Sequence, residues 1–346
     1  MSIRTKTLLA LIEKPGHVCF RYRVAAFEPA LAEAGWRLEA EAVEHGCLAS
    51  VHQLRSAARA DAVLLQRRLL SWWRIRLLRR FAKYLIFDID DAVFHRDSNN
   101  PRGPESSSRL RRFAATVKRA DAILAGNAFL ADQSRRFASP ERVHEFPTCV
   151  DASLYEPRTS ERSGGETRLV WIGSRSTMTS LDGIREGLAE ATRRLPGLKL
   201  RVVCDAFPKL AGVEVVPVSW TESTEAEELA GADIGVSWLP EHPWSLGKCG
   251  LKVLQYMAAG LPVVANPFGV HPSMVSAETG ILARSPFEWA DAIMKLASDP
   301  QLRRRLGSDA RRRLEVDYSV RAWGRKFASC LESPIRDGWT SSIPRD

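Results

Sequence analysis

Short apolar runs alternate with amphipathic stretches along almost the whole chain, and the alternation occurs in two successive sets. In the first set the apolar runs predict strands at Thr7–Ile12, Leu38–Val43, Ala62–Gln66, Tyr84–Asp88, Ala122–Ala125 and Val143–Phe146. Between them, helical spacing of apolar residues marks Val24–Ala34, Trp72–Lys83 and Arg109–Arg119. A polar, turn-rich stretch follows, DASLYEPRTSERSGGET at 151–167, which reads as a linker. The second set predicts strands at Leu169–Ile172, Leu200–Cys204, Val213–Val218, Ile234–Trp238, Leu261–Ala265 and Gly280–Ala283. Its helices are expected over Leu181–Leu195, Glu222–Ala230, Lys252–Ala259, Phe287–Ser298 and Gln301–Val316, with a last one from Ser319 to Leu331 before Pro334. Strands alternating with helices imply parallel sheets with helices on both faces. The expected architecture is therefore α/β, with two Rossmann-like, doubly wound domains facing each other across a cleft. They span 1–150 and 168–318 around the 151–167 linker, and the 319–346 helix and tail pack back toward the first domain. Ligands of such sheets bind outside the carboxyl ends of the strands.

Composition adds limits. A chain of 346 residues is long for one core, which agrees with two domains. Six scattered cysteines form no CxxC pair or metal-ligand spacing, which suits a reduced, cytoplasmic setting. The apolar run Leu8–Ile12 is too short for a signal peptide or a membrane span. Charge is uneven. Residues 1–150 hold 25 Lys/Arg against 16 Asp/Glu, whereas the rest holds 25 of each. The whole excess of positive charge thus lies in the first half, as expected where one domain faces an anionic partner.

Candidate chemistry concentrates at a few turns. In SLGKCGLKVLQYMAAGLPVVAN (245–266), Lys248 and Lys252 flank the expected helix start, where unpaired N–H groups and the helix dipole favour a phosphate. The turn Gly173-Ser174-Arg175 follows a strand and leads into a helix; small residues there let the backbone approach a phosphate, and Arg175 adds a donor fork. It is neither a G-x-G-x-x-G fingerprint nor a Walker motif, and a plain tight turn explains it equally well. FDIDD places Asp88, Asp90 and Asp91 at a strand's carboxyl end, where three carboxylates need a cation, an arginine or a hydroxyl to engage them. A metal site is one reading of this cluster. A phosphatase-like DxDx[TV] is another, although Ala92 replaces the Thr/Val. The preferred reading has Asp90 or Asp91 orienting or deprotonating an acceptor hydroxyl, or pairing with Arg21, Arg23 or Arg67. Trp220 and Trp244 follow strand ends and can stack on a base or pack at a rim. His242 and His271 stand isolated in loops and read as non-ligands.

The order of these motifs carries a resemblance. The GS turn, then VPVSWTE (216–222), ADIGVSWLP (232–240) and GKCGLKVLQYMAAGLPVVANPFGV (247–270) resemble the GT-B glycosyltransferases of the retaining family-four type, the glycosyl transferases group 1. VHEFPTCVDASLYEP (143–157), FRYRV (20–24) and LIFDIDDAVF (85–94) extend the likeness upstream. The resemblance implies a transferase that moves a sugar from a nucleotide-diphosphate sugar to a saccharide or lipid-linked acceptor, in bacterial surface polysaccharide or glycoconjugate synthesis. It also implies retention of configuration and no bound metal or other cofactor. Gly173, Ser174, Arg175, Trp220, Lys248, Gly250, Lys252 and Gln255 become the donor-binding set, Asp90 and Asp91 the catalytic candidates, and Gly16, Arg21 and Arg23 the acceptor or phosphate side. The family carries two glutamates eight positions apart, and here Gly247 and Gln255 stand in their place. That departure keeps a catalytically silent nucleotide-sugar- or partner-binding protein as the alternative, and an epimerase as a lesser one.

The stretch Gln66–Tyr84 combines seven basic residues with Trp72, Trp73 and Phe81. Such a helix can lie on an anionic bilayer surface, which makes Arg67, Arg68, Trp72, Trp73, Arg76 and Arg80 candidate membrane contacts and the protein a peripheral one on the inner face of the cytoplasmic membrane. Solvated arginines with tryptophans in the core are the competing reading, and no nucleic-acid recognition motif is present.

Overall fold

The computed structural model describes residues 4–43, 47–157 and 166–331. It divides into two compact units. The first holds the chain up to Cys149, the segment His242–Cys249 and the stretch from Val320; the second holds Val150–Glu241 and Gly250–Ser319. Residues 158–165 of the expected linker and the tail beyond Leu331, with Pro334, lie outside the described residues.

In unit 1 the order is β1 (Lys6–Ile12), α1 (Val18–Arg23), α2 (Glu28–Glu33), β2 (Trp36–Ala42), α3 (Cys47–Arg59), β3 (Ala62–Gln66), α4 (Trp72–Phe81), β4 (Leu85–Ile89), α5 (Ser107–Val117), β5 (Ala122–Ala125), α6 (Ala128–Arg135) and β6 (Val143–Glu145). Its six parallel strands lie in the order β2-β1-β3-β4-β5-β6. Strands β3, β4 and β5 are buried at every position, because helices cover both faces and leave no polar side to alternate. The expected helix Val24–Ala34 is a 3₁₀ turn at Ala25–Phe27 followed by α2, with Pro29 fitting the first turn of α2. Ser106 and Asn127 cap α5 and α6 through their side-chain oxygens.

Unit 2 runs β7 (Arg168–Ile172), α7 (Arg185–Arg194), β8 (Lys199–Cys204), β9 (Glu214–Ser219), α8 (Glu225–Ala230), β10 (Ile234–Ser237), α9 (Leu251–Ala258), β11 (Val263–Ala265), α10 (His271–Met274), β12 (Gly280–Leu282), α11 (Pro286–Ser298) and α12 (Pro300–Asp317). Its parallel sheet has the order β12-β11-β10-β7-β8-β9. The first part of the expected helix Leu181–Leu195 is instead a 3₁₀ segment, Arg175–Ile184, capped by a Ser174–Thr177 box. Entry into this unit is held by Arg311 of α12, which donates to the carbonyls of Tyr155 and Ala152, both at 2.8 Å. The closing helix α13 (Val320–Ser329) belongs to unit 1, where Phe327 packs on Phe27 and Trp323 meets Phe146 edge-on.

Each sheet reverses its winding once. In unit 1 the strand order turns about β1 and β3, and in unit 2 about β7 and β10. The carboxyl ends at these switch points leave a crevice, because the flanking crossovers leave in opposite directions.

Candidate functional site

In unit 2, the strand ends at the switch point are followed by two of the turns singled out above. Gly173 follows β7. A Cβ there would lie 2.4 Å from the Trp171 ring and 2.7 Å from Thr177 Oγ1, so the turn needs glycine. Ser174 and Arg175 are exposed, and the Arg175 N–H is fixed by Asp205 Oδ1 at 2.8 Å, which ties the turn to the end of β8. The chain that leaves β10 enters α9 through Gly250, whose φ of +66° and close neighbour Met274 both select glycine. Lys252, in the first turn of α9, holds its ammonium 4.2 Å from the centre of the buried Trp171 ring. Gln255, one turn on, is buried. Trp220 follows β9 with its ring 42% exposed, oriented by a 2.8 Å hydrogen bond from Nε1 to Glu225, which also accepts from Tyr155.

His271 is not an isolated loop histidine. Its Nε2 meets Ser237 Oγ at 3.0 Å and its Nδ1 meets the Asn266 carbonyl at 3.0 Å, while Asn266 clamps the Leu239 backbone through both ends of its amide. Burial pushes the imidazole pKa down to about 4, further than the Asn266 hydrogen bond raises it. The network stiffens the loops after β10 and β11 with a neutral ring. Nothing in the spacing of single residues announces it.

In unit 1 the FDIDD carboxylates are engaged by cations. Arg23 is fully buried and grips Asp88 through Nε at 3.0 and 3.2 Å and through Nη2, with Nη1 on the Phe146 carbonyl at 2.6 Å. This removes Arg23 from the expected acceptor side, since all three of its guanidinium nitrogens donate inside the core. Gly16 (φ +74°) is exposed after β1, and Arg21 lies against the Tyr22 ring. Arg67 is corrected too. It does not join the surface of α4; its backbone takes the left-handed conformation (φ 57°), its side chain meets Asp90 at 3.3 Å and Asp91 at 2.6 Å, and it contacts the Cys19 sulfur. Burial works against ionisation of Asp90, but Arg67 and Arg23 outweigh it and hold the carboxyl below its ordinary value.

Lys248 departs most from expectation. The segment His242–Cys249 packs within unit 1, where Lys248 Nζ sits 2.8 Å from Asp91 Oδ1 and 5.4 Å from the Trp244 ring. Burial disfavours its ammonium, yet Asp91 opposite raises the pKa. The two lysines read as one anion site therefore belong to different units. Asn127 fixes the segment further by donating to the carbonyls of Leu246 and Lys248, each at 3.0 Å. Gly247 is pressed onto Ala92, where a Cβ would come within 2.3 Å of the backbone nitrogen.

Helix α4 exposes Trp72, Trp73, Arg76 and Arg80 while burying Ile75 and Leu78. Arg68, half-buried, lines a cavity beside it. Among the described residues no group of three or more His, Cys, Asp or Glu is arranged to hold a metal, and no helix is long and apolar enough to cross a membrane.

Residues 160–299 match the family model "Glycosyl transferases group 1". The chain is 30% identical over 240 residues to the D-inositol 3-phosphate glycosyltransferase of Corynebacterium glutamicum, covering 60% of this chain and 56% of that protein, so it spans little more than half that relative's length. Among solved structures, sucrose-phosphate synthase from Thermosynechococcus elongatus superposes with a TM-score of 0.73 at 17% identity, covering 94% of this chain and 98% of that one. Anabaena HepE, solved with UDP and glucose, gives a TM-score of 0.70 at 15% identity over 95% of this chain and 100% of that one. Two six-stranded parallel sheets with these neighbours make the fold GT-B, and within it residues 160–299 are similar to the glycosyl transferases group 1.

Proposed function

We propose that the protein is a nucleotide-sugar-dependent glycosyltransferase whose donor diphosphate binds at the switch point of unit 2. The observation that carries this reading is the convergence there of the Gly173-Ser174-Arg175 turn and Lys252 at the start of α9, within the segment that matches the family model. Backbone N–H groups and the lysine would neutralise the leaving diphosphate as the glycosidic bond breaks, which is the main electrostatic task of the reaction. Gln255 offers an amide to the ribose diol, and the Trp220 ring a face for the base. The UDP complex of the Anabaena neighbour supports a uridine donor. A saccharide or lipid-linked acceptor, used with retention of configuration in surface polysaccharide or glycoconjugate synthesis, completes the proposal, with unit 1 presenting it.

Calorimetry with UDP-, GDP- and ADP-sugars tests the donor claim; at least one should bind, and binding of none overturns it. A membrane-facing role for α4 fits Trp72 and Trp73, 65% and 49% exposed beside Arg76 and Arg80. Flotation with anionic liposomes at low salt should carry the protein up, and failure to float removes that part.

One observation favours a second reading, a silent nucleotide-sugar binder. At 247, where the family carries an acid, the contact with Ala92 excludes any side chain. Sugar transfer or slow donor hydrolysis excludes this reading, and tight donor binding with neither supports it.

A further inference from the structure

The switch point of unit 1 opens into a cavity of about 410 Å³. Five arginines line it, Arg67 and Arg68 after β3, Arg74 on α4, and Arg109 and Arg112 on α5, with Glu13 after β1 the one carboxylate among the described lining residues. Arg67 is neutralised by Asp90 and Asp91. Arg109 and Arg112 are different. They stand three apart on one exposed helix face, Arg109 donates only to the Val93 carbonyl at 3.2 Å, and no carboxylate pairs with either among the described residues. Like charges gathered in one concavity repel each other, and the low-dielectric walls focus their field. An arrangement of this kind is relieved by a bound anion. Guanidinium forks fit the oxygens of a phosphate in pairs.

Size and lining narrow the class. The cavity falls within the range of small-molecule sites, about 300–1,000 Å³, and far exceeds the roughly 30 Å³ share of one water. It is therefore larger than a phosphate ion needs. Trp244, Leu70 and Val93 give it an apolar wall for an organic body. The geometry points to a phosphate ester as the ligand of this cavity, with the phosphate held by Arg109 and Arg112 and the rest of the molecule against Trp244. This rests on the proposed transferase reading for its role: the ester is the acceptor, either a soluble sugar phosphate or a polyprenyl phosphate, and the shared recognition element is the phosphate.

The test uses the full chain. Calorimetry with inorganic phosphate and glucose 6-phosphate, against glucose as control, covers soluble esters. Flotation with phosphatidylcholine vesicles doped with polyprenyl phosphate, against polyprenol, covers the lipid source. In at least one arm the phosphorylated probe should bind at least tenfold tighter than its control. The double variant Arg109→Gln/Arg112→Gln, altered only at exposed positions, should abolish that preference while leaving UDP affinity unchanged, and Arg312→Gln on α12 should change neither. No phosphate preference in either arm, or a preference untouched by the double variant, overturns the inference. Loss of nucleotide binding with phosphate recognition intact would instead defeat the transferase reading and leave the cavity's assignment standing.

Discussion

Replacing Arg23 by methionine isolates what the buried ion pair contributes. The guanidinium and the Asp88 carboxylate are each about 1% exposed, and apart from Arg23 the carboxylate accepts, among the described residues, from Gln66 Nε2 at 3.2 Å. Methionine roughly conserves the length of the side chain but leaves Asp88 charged in the core and the Phe146 carbonyl without its 2.6 Å donor. Breaking a buried pair from one side costs about 3–5 kcal/mol. For a unit of this size each kcal/mol lowers the melting midpoint by about 2–4 °C, so calorimetry should show the unit 1 transition falling by roughly 6–20 °C. The pH dependence follows from Asp88. Burial already raises its pKa, and Arg23 is what opposes the rise. Without Arg23 the native state binds a proton that the unfolded state releases above about pH 3.9, so the variant should lose stability as pH rises from there. Acid should therefore narrow its deficit relative to wild type. Adding Asp88→Leu removes the stranded charge and should recover most of the loss, while Gln66 keeps the Cys19 carbonyl as acceptor. A single-variant cost below 1 kcal/mol, or a double variant as unstable as the sum of the singles, would refute the reasoning.

Two further outcomes follow from packing and titration. Gly247→Ala puts a methyl 2.3 Å from the Ala92 nitrogen and 2.9 Å from its Cα, backbone atoms that cannot swing aside; it should cost about 1–3 kcal/mol by thermal unfolding, and an unchanged midpoint would contradict the contact. His271, held neutral with its pKa near 4, binds a proton in the unfolded state before it does in the native one. Stability should therefore fall as pH drops from about 6.5 toward 4, by roughly 3 kcal/mol at most, and His271→Gln should flatten that slope in melting curves.

The twelve strands among the described residues were legible; those covered on both faces, such as Leu85–Ile89 and Ile234–Ser237, are continuous apolar runs, while the edge strands β2 and β9 keep exposed polar positions. Helices α1, α3, α6 and α10 were not among the stretches that periodicity picked out; in α1, α6 and α10, four to eight residues are too few for a clear helical period. The turns at Gly173 and Gly250 were legible from small residues between strand and helix. Partners distant along the chain were not. Nothing local to Lys248 points to Asp91, and nothing near Arg109 and Arg112 shows that they line one cavity with Arg67. The His271 network was hidden for the same reason, because Ser237 and Asn266 meet it only through the sheet.

The central claim is that the donor diphosphate sits at the switch point of unit 2 and that Lys252, not Lys248, is its cation. The most direct measurement is the affinity of the free nucleoside diphosphate for Lys252→Ala and for Lys248→Met, each against wild type by calorimetry. A charge-assisted hydrogen bond is worth about 1.5–3 kcal/mol, so Lys252→Ala should bind about 10- to 150-fold more weakly. Lys248→Met, which loses an ion pair to Asp91 within unit 1, should bind as wild type does. Unchanged affinity in Lys252→Ala, or a loss confined to Lys248→Met, would contradict the account.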